Sequence, residues 1–434
     1  MKSFKILNPI EISIESFEID TKDIAWYKII VKTCETRTWS VLRRYSEFDT
    51  LHSNIKSNIK GIKLPPKKIR KSDDFLQSRK NELEKYLNDV IEAVNENVPV
   101  ELVKFLKLDL FEPYSVLYEL AFLLKKIKKC IQLSSLQLNA LLLISSDSDL
   151  YQEITQQFSQ IKIVKIKGSS KCDLHYSSLS RENLAVSVAY FTSAHELSLH
   201  HCYAENIRGF DKLKGTLRVL SFEGQSKSIS TVLANGDSSP WEMLTRVNFT
   251  KSKLNKVDLN MELCPNLENL NLAGNRLIDI ENLETLMKLT ILDLSHNGLT
   301  APTFLSLGNI SILNICGNQI SSLKPVGRLL GLMTLNASKN EVDDIEETAH
   351  LNRLPMLTEI DFSENPIAQK LDYRTQVLAR VPRRAQELII DGIIPSQEEL
   401  SMANIFCALR DAENKKITAP SSRRNFALET KTIL

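Results

Sequence analysis

Residues 267–277 read Leu-Glu-Asn-Leu-Asn-Leu-Ala-Gly-Asn-Arg-Leu, and this short stretch decides the fold. Its spacing, L-x-x-L-x-L-x-x-N-x-L, returns at Leu289, Leu292, Leu294, Asn297 and Leu299, and at Ile310, Leu313, Ile315, Asn318 and Ile320. It returns again at Leu332, Leu335, Ala337, Asn340 and Val342, and at Leu357, Ile360, Phe362, Asn365 and Ile367. Successive Asn residues stand 22, 21, 22 and 25 apart, so one unit is being repeated. Upstream, Leu244, Val247, Phe249, Ser252 and Leu254 form a weaker copy with Ser in the Asn place. Fainter copies put Gln225 and Cys202 there, and Ile161, Val164 and Ile166 are candidates for a first one.

Each letter of the unit has a physical reason. The apolar positions of a short strand point inward and stack on those of the next repeat, because one repeat alone cannot bury them. The Asn amide pairs backbone groups where the chain turns out of the strand. The array resembles an α/β leucine-rich-repeat solenoid over residues 161–392, and residues 370–392 resemble the helical cap that closes such arrays. In each strand the residue between the second and third apolar positions points to the concave face. Asn271, Asp293, Asn314, Asn336 and Asp361 are therefore the candidate protein-binding residues, with Asn269, Ile291, Ile312, Thr334 and Glu359 two places earlier. Residues 244–368 carry ten Lys/Arg and fifteen Asp/Glu, a net −5 that suits a partly basic partner. The competing reading is plain soluble surface. Either way these side chains are expected to be exposed, so charge reversal at Asp293 and Asp361 should leave the thermal midpoint nearly unchanged.

Outward from the repeat, residues 113–160 read as helices over 114–130 and 136–158, the second broken at Ser145-Ser146-Asp147: a helical linker or N-terminal cap. Residues 393–434 read as a polar C-terminal tail. Residues 1–112 have another texture. Ile10–Ile14, 26–33 and 36–42 alternate or are rich in β-branched and aromatic residues, which predicts three strands. Ser46 fits a helix N-cap with Asp49 at N3, followed by Phe48, Leu51 and Ile55 on one face. Leu64-Pro65-Pro66 must be extended. Ser72-Asp73-Asp74 opens a long helix with Leu83, Tyr86, Leu87, Val90, Ile91 and Val94 at helical period, and Pro99 starts a short last one.

Residues 56–80 hold nine Lys/Arg against two acids, a local +7 in a chain whose net charge is only +2. This basic run lies beside Arg43-Arg44-Tyr45 at a strand end, a Pro-Pro-Lys turn and Arg79 on the next helix. The combination resembles the PX domain: an α+β fold of a three-stranded sheet plus helices with a proline-rich loop, here over residues 1–112. The resemblance implies binding of phosphatidylinositol 3-phosphate. It implies that Arg44 holds the 3-phosphate, Tyr45 packs on the inositol ring, Lys67 meets the 1-phosphate and Arg79 the ring hydroxyls.

A PX domain followed by leucine-rich repeats also resembles the nischarin family, through LRRYSEFDTLH, LPPKKI, LNLAGNRL, LDLSHNGL and DYRTQVLARV. That resemblance implies a cytoplasmic scaffold, peripheral on early or recycling endosomes, with integrin tails and Rac and PAK-kinase pathway proteins as partners. The alternative is a soluble scaffold whose two modules bind only proteins.

The remaining features exclude more than they add. Over 434 residues, 43% are hydrophobic and 25% charged, as in a globular protein. A net +2 gives no whole-chain field for nucleic acid. No apolar run reaches the roughly 18 residues of a membrane span, and the N-terminus turns acidic too soon for a signal peptide. Seven scattered cysteines without a C-x-x-C read as reduced cytosolic thiols. His195, His200, His201 and Cys202 do not match a zinc spacing, and no constellation supports an enzyme. No metal or cofactor is expected.

Overall fold

The structure, a computed structural model, describes residues 3–6, 8–33, 37–67, 72–126, 129–169, 184–226, 228–235, 238–301, 307 and 309–418. It divides into two units, Met1–Leu277 with Glu281–Leu289, and Ile278–Ile280 with Thr290–Leu434.

The first unit begins with a short strand β1 (Ser3–Lys5), then β2 (Ile10–Ile19), β3 (Ala25–Thr33) and β4 (Arg37–Arg44). β2, β3 and β4 form an antiparallel sheet in that order. Its alternation buries Ile12, Ile14, Tyr27, Ile29, Val31, Trp39 and Val41. Helix α1 (Tyr45–Ile55) covers them with Phe48, Leu51 and Ile55. The sequence points to a cap at Ser46 with Asp49 behind it. Instead the strand runs straight into the helix, Arg44 is the cap residue, and Glu47 Oε2 accepts the Arg44 N–H at 3.0 Å. Helix α2 (Asp73–Val94) starts after Ser72 and buries Leu83, Tyr86, Leu87, Val90 and Val94; Ile91 is half-buried. β5 (Asn97–Pro99) pairs antiparallel with β1, and α3 (Val100–Leu106) buries Leu102, Phe105 and Leu106.

The following segment is not helix throughout. After α4 (Leu108–Phe111) and α5 (Pro113–Leu124), Cys130–Ser134 is a strand that pairs in parallel with Ile163–Lys167. The solenoid sheet thus starts some thirty residues before the first repeat strand expected from sequence. Helices Ser135–Leu141 and Asp149–Phe158 lie between these two strands.

This segment is welded to the sheet of β2, β3 and β4. Arg37, only 1% exposed, donates to the Phe111 carbonyl at 2.9 Å and to Asn139 Oδ1 at 2.7 Å. Asn139 Nδ2 in turn donates to the Ala185 carbonyl at 2.8 Å. Trp39 stacks on Phe111 with centroids 5.3 Å apart, and its Nε1 donates to the Leu106 carbonyl. Leu136 and Leu184 join the same apolar core. Arg37→Met keeps most of the volume but strips two acceptors of a charged donor. We expect it to lower unfolding free energy by about 2 kcal/mol, read by urea titration.

Parallel strands continue through Glu196–Tyr203, Val219–Gln225, Arg246–Phe249 and Asn269–Asn271 in the first unit. In the second, Ile291–Asp293, Ile312–Asn314, Thr334–Asn336, Glu359–Asp361 and Ile389–Ile390 follow the same rule, Leu292 beside Leu313 beside Leu335 beside Ile360. The Asn ladder has the role its position implies. Asn340 Oδ1 accepts the Ile320 N–H, while Nδ2 donates to the Ile315 and Ala337 carbonyls at 2.9 and 3.0 Å. Asn275, Asn318 and Asn365 repeat the pattern, each stitching its own turn to the preceding one. Ser252 makes half of it, its hydroxyl donating to the Phe222 carbonyl. The residue before each of these is left-handed: Lys251, Gly274, Gly317, Lys339 and Glu364 all have positive φ. At Gly317 a Cβ would stand 2.5 Å from His296 Nδ1, so glycine is required there for space as well as conformation.

After the last full repeat come the helix Tyr373–Arg380, the strand Ile389–Ile390 and the helix Gln397–Thr418. The expected polar tail is therefore helical as far as Thr418, since Ala403 packs inward and Arg374 Nε meets Glu399 Oε1 at 2.7 Å. Residues 419–434 lie outside the described residues.

Candidate functional site

The junction of β4 and α1 places two adjacent arginines on opposite sides, as a strand must. Arg43 turns inward: Nε donates to the Phe105 carbonyl at 2.9 Å and the guanidinium lies 5.3 Å above the Phe105 ring. Arg44 is left exposed at the head of α1. One residue on, the Tyr45 hydroxyl donates to the Pro65 carbonyl. This bond ties the start of α1 to the proline loop, whose residues 62–67 carry no regular secondary structure.

From the third side Arg79 of α2 reaches the same loop. Its Nη2 donates to the Pro66 carbonyl at 3.3 Å, and its guanidinium lies 4.9 Å from the centroid of Tyr45 and 4.4 Å from that of Phe75. Arg79 is 8% exposed, a nearly buried cation held between two aromatic faces. The Tyr27 hydroxyl also interacts with it. Burial raises the Tyr27 and Tyr45 phenols above their ordinary pKa, and the Arg79 charge pulls both partly back. Both phenols therefore stay neutral donors at physiological pH.

Three sequence elements thus converge. Tyr45 and Arg79 are in contact, Lys67 stands exposed one residue past Pro66, and Arg44 precedes Tyr45. Planar guanidinium groups, an ammonium and an aromatic ring are the donor set for an anionic, phosphorylated polyol. Lys68, Arg70 and Lys71 of the basic run lie outside the described residues. Phe75 escaped the sequence reading. Its signal was present, because it stands four residues before Arg79 on a helix, where side chains meet.

The second candidate surface needs correction. Asn271, Asp293, Asn314, Asn336 and Asp361 are half-buried, not exposed. Each side chain accepts the backbone N–H two residues ahead: Ala273, Ser295, Cys316, Ser338 and Ser363, at 2.9 to 3.1 Å. Asp361 also accepts the Ser363 hydroxyl. These residues shape the turn that leaves each strand. Of the residues two places earlier, Ile312 and Glu359 are exposed, while Asn269, Ile291 and Thr334 are half-buried. Charge reversal at Asp361 therefore should not be silent. We expect Asp361→Ala to cost about 1–2 kcal/mol, while Asp361→Asn, which keeps the acceptor, costs a few tenths; thermal melts distinguish them.

In the His/Cys cluster, His200 Nδ1 faces Glu223 Oε2 at 3.2 Å, and the Cys202 thiol donates to the His200 carbonyl. Burial pushes that thiol up to about 12. Among the described residues no three His, Cys, Asp or Glu side chains are grouped to hold a metal, and no helix is long and apolar enough to cross a membrane.

The family model of the PX domain matches residues 31–109, and that of leucine rich repeats (2 copies) matches residues 265–307. The chain carries a PX domain and leucine-rich repeats. Serine/threonine-protein kinase 11-interacting protein of Gallus gallus is 27% identical over 229 residues, 50% of this chain and 21% of that protein. Kinesin-like protein KIF16B of Homo sapiens is 37% identical over 90 residues, 19% of this chain and 7% of that one. The matched regions are thus about a fifth or less of these relatives' own length. Among solved structures, a designed CISK-PX domain is 33% identical, covering 22% of this chain and 97% of that one at a TM-score of 0.20. An internalin of Listeria monocytogenes is 18% identical, covering 58% and 71%, at a TM-score of 0.41. PX domains as a class bind phosphoinositides, and leucine-rich repeats as a class bind proteins.

Proposed function

We propose that the chain is a non-catalytic adaptor, drawn to membranes by phosphatidylinositol 3-phosphate at the Arg44–Tyr45–Lys67–Arg79 site, with its leucine-rich repeats free to hold a protein. The observation that supports this most is the Arg79 clamp. A nearly buried guanidinium fixes Tyr45 and the Pro65-Pro66 turn while Arg44 and Lys67 remain exposed beside them. Burying a cation is costly unless it is well partnered, and here its partners are the parts of a headgroup site. In this reading the protein acts at 3-phosphoinositide-rich endosomes. Integrin tails and Rac and PAK-kinase pathway proteins are the first partners to test.

The test is co-sedimentation of the full chain with liposomes bearing each phosphoinositide in turn. Wild type should prefer phosphatidylinositol 3-phosphate. Arg44→Ala should bind it about tenfold more weakly, since a charge-assisted bond contributes about 1.5–3 kcal/mol and each 1.4 kcal/mol is tenfold. Unchanged binding by Arg44→Ala removes the site assignment. No binding by wild type to any phosphoinositide leaves the protein-only scaffold.

A further inference from the structure

The parallel strands of the first unit carry a run of cations that the repeat pattern does not require. The strands Cys130–Ser134, Ile163–Lys167, Glu196–Tyr203, Val219–Gln225 and Arg246–Phe249, each taken with the residue that leads into it, hold six Lys/Arg against two Asp/Glu. Their register sets these residues side by side. Lys165 stands in one row with Gln132, Ser198, Ser221 and Asn248, and Lys167 in the next with Ser134, His200 and Glu223. Arg246 ends a third row of Cys130, Ile163, Glu196 and Val219. At the strand entrances the Lys129 carbonyl accepts the Lys162 N–H, the Lys162 carbonyl that of His195, and the His195 carbonyl that of Arg218, so these four are successive neighbours as well.

Lys129, Lys162, Lys165, Lys167, Arg218 and Arg246 are all exposed, and none has an ion pair among the described residues. Of the two acids, Glu223 is already engaged by His200 at 3.2 Å and Lys251 at 3.8 Å, which leaves Glu196 alone to balance six cations. The strands of the second unit carry Asp293, Glu359 and Asp361 and no Lys or Arg. The net −5 of residues 244–368 leaves out four of the five basic strands, so the partly basic partner it suits does not suit them.

The occupant that fits is an acidic stretch of polypeptide. The three rows hold no Phe, Tyr or Trp, so the stacking that holds single-stranded nucleic acid has no platform here. A bilayer or a nucleic acid presents negative charge throughout and would press it on Glu196. A polypeptide can set a neutral side chain there, where half-buried Ile163 and Val219 flank Glu196 in its row. Lys165 and Arg246 are three strands apart, about 14 Å across the sheet. About four residues of extended chain span that distance.

We propose that this face binds an extended acidic polypeptide segment lying across the strands, with carboxylates about four residues apart that meet Lys165 and Arg246. The proposal rests on the reading of the repeats as a protein-holding surface and names the chemistry of the partner. It does not depend on the lipid site.

The test follows, by fluorescence anisotropy, the binding of the full chain to a labelled peptide with Glu at every fourth position among Ser and Ala. The same peptide with Lys for Glu, a single-stranded RNA and phosphatidylserine vesicles are the comparison ligands. Wild type should bind the Glu peptide in preference to all three, and more weakly as salt rises. Lys165→Glu combined with Arg246→Glu should weaken binding about tenfold or more, with the thermal midpoint kept because both side chains are exposed. Lys60→Glu, in the basic loop of the PX domain, should leave peptide binding unchanged. The proposal is overturned by a wild type that ignores the Glu peptide, by a double reversal that binds it like wild type, or by a Lys60→Glu variant that loses it. Binding of the Lys peptide instead overturns the acidic chemistry and leaves the repeats a protein-holding surface. A preference for RNA or vesicles over either peptide counts against both.

Discussion

Asn340→Ala is expected to lower the unfolding free energy of this chain by about 3–5 kcal/mol, the largest loss of any single polar substitution considered. The side chain is buried and makes bonds to two successive turns. Its Oδ1 accepts the Ile320 N–H at 3.1 Å, and its Nδ2 donates to the Ile315, Ala337 and Ser338 carbonyls at 2.9 to 3.0 Å. Alanine supplies none of these partners, and the site is nearly closed to water, Asn340 being 6% exposed. Each orphaned backbone group costs about 1–3 kcal/mol, reduced by whatever relaxation the turn allows. Because repeats lean only on their neighbours, the damage should centre on the turns at 315–320 and 337–340. Urea titration gives the total, and amide exchange locates it. Asn340→Ser should lose less, since Ser252 shows that a hydroxyl in this place still reaches the preceding repeat. A loss below about 1 kcal/mol for Asn340→Ala would mean that the ladder follows from the fold without stabilising it.

That ladder was legible because the repeat writes the same physical demand five times. Where the demand is written once, the sequence is quieter. The strand Cys130–Ser134 shows only two buried apolar residues, Ile131 and Leu133, between helical stretches. It has no Asn turn to mark it, and only the parallel partner Ile163–Lys167 makes it a strand. The start of α1 was misplaced because Ser46 and Asp49 have the right chemistry for a cap, but β4 continues into the helix and Glu47 claims the first free N–H. The helix beyond residue 396 had a signal that the reading passed over: Ser396 and Glu399 form a capping box, and apolar Leu400, Met402, Ile405, Phe406 and Leu409 follow it.

The site shows the same division. The four residues of the proposed lipid site came from the resemblance to the PX domain, and the inward role of Arg43 follows from strand alternation beside Arg44. That Arg79 is clamped by Phe75 as well as Tyr45 needed coordinates. The five concave-face residues teach the opposite lesson. That this place holds only Asn or Asp in five copies was itself a turn signal, since those side chains bond the N–H two residues on. Their type was read as surface chemistry when it is first a device of the backbone.

Arg79→Ala should weaken binding to phosphatidylinositol 3-phosphate liposomes about a hundredfold, a larger loss than Arg44→Ala, because Arg79 acts in two ways. As a proposed ligand it contributes a charge-assisted bond of about 1.5–3 kcal/mol. As a clamp it holds the Pro66 carbonyl and covers the Tyr45 ring, a desolvated cation–π contact of about 1–2 kcal/mol. Losing it frees the loop that carries Lys67, so a second ligand is misplaced along with the first. Arg79→Lys separates the two roles. It keeps the charge but not the planar fork that bonds Pro66 while lying flat between Tyr45 and Phe75. The lysine variant should therefore recover only a small part of the loss. Tyr45→Phe removes the bond to the Pro65 carbonyl without touching the charge. Its effect should be smaller in an Arg79→Ala background than in wild type, because both side chains fix the same turn and neighbours that share a partner are not additive. If Arg79→Lys binds like wild type, Arg79 acts only as a point charge. If the Tyr45→Phe and Arg79→Ala losses simply add, the two do not form a clamp, and Arg44 with Lys67 must carry recognition alone.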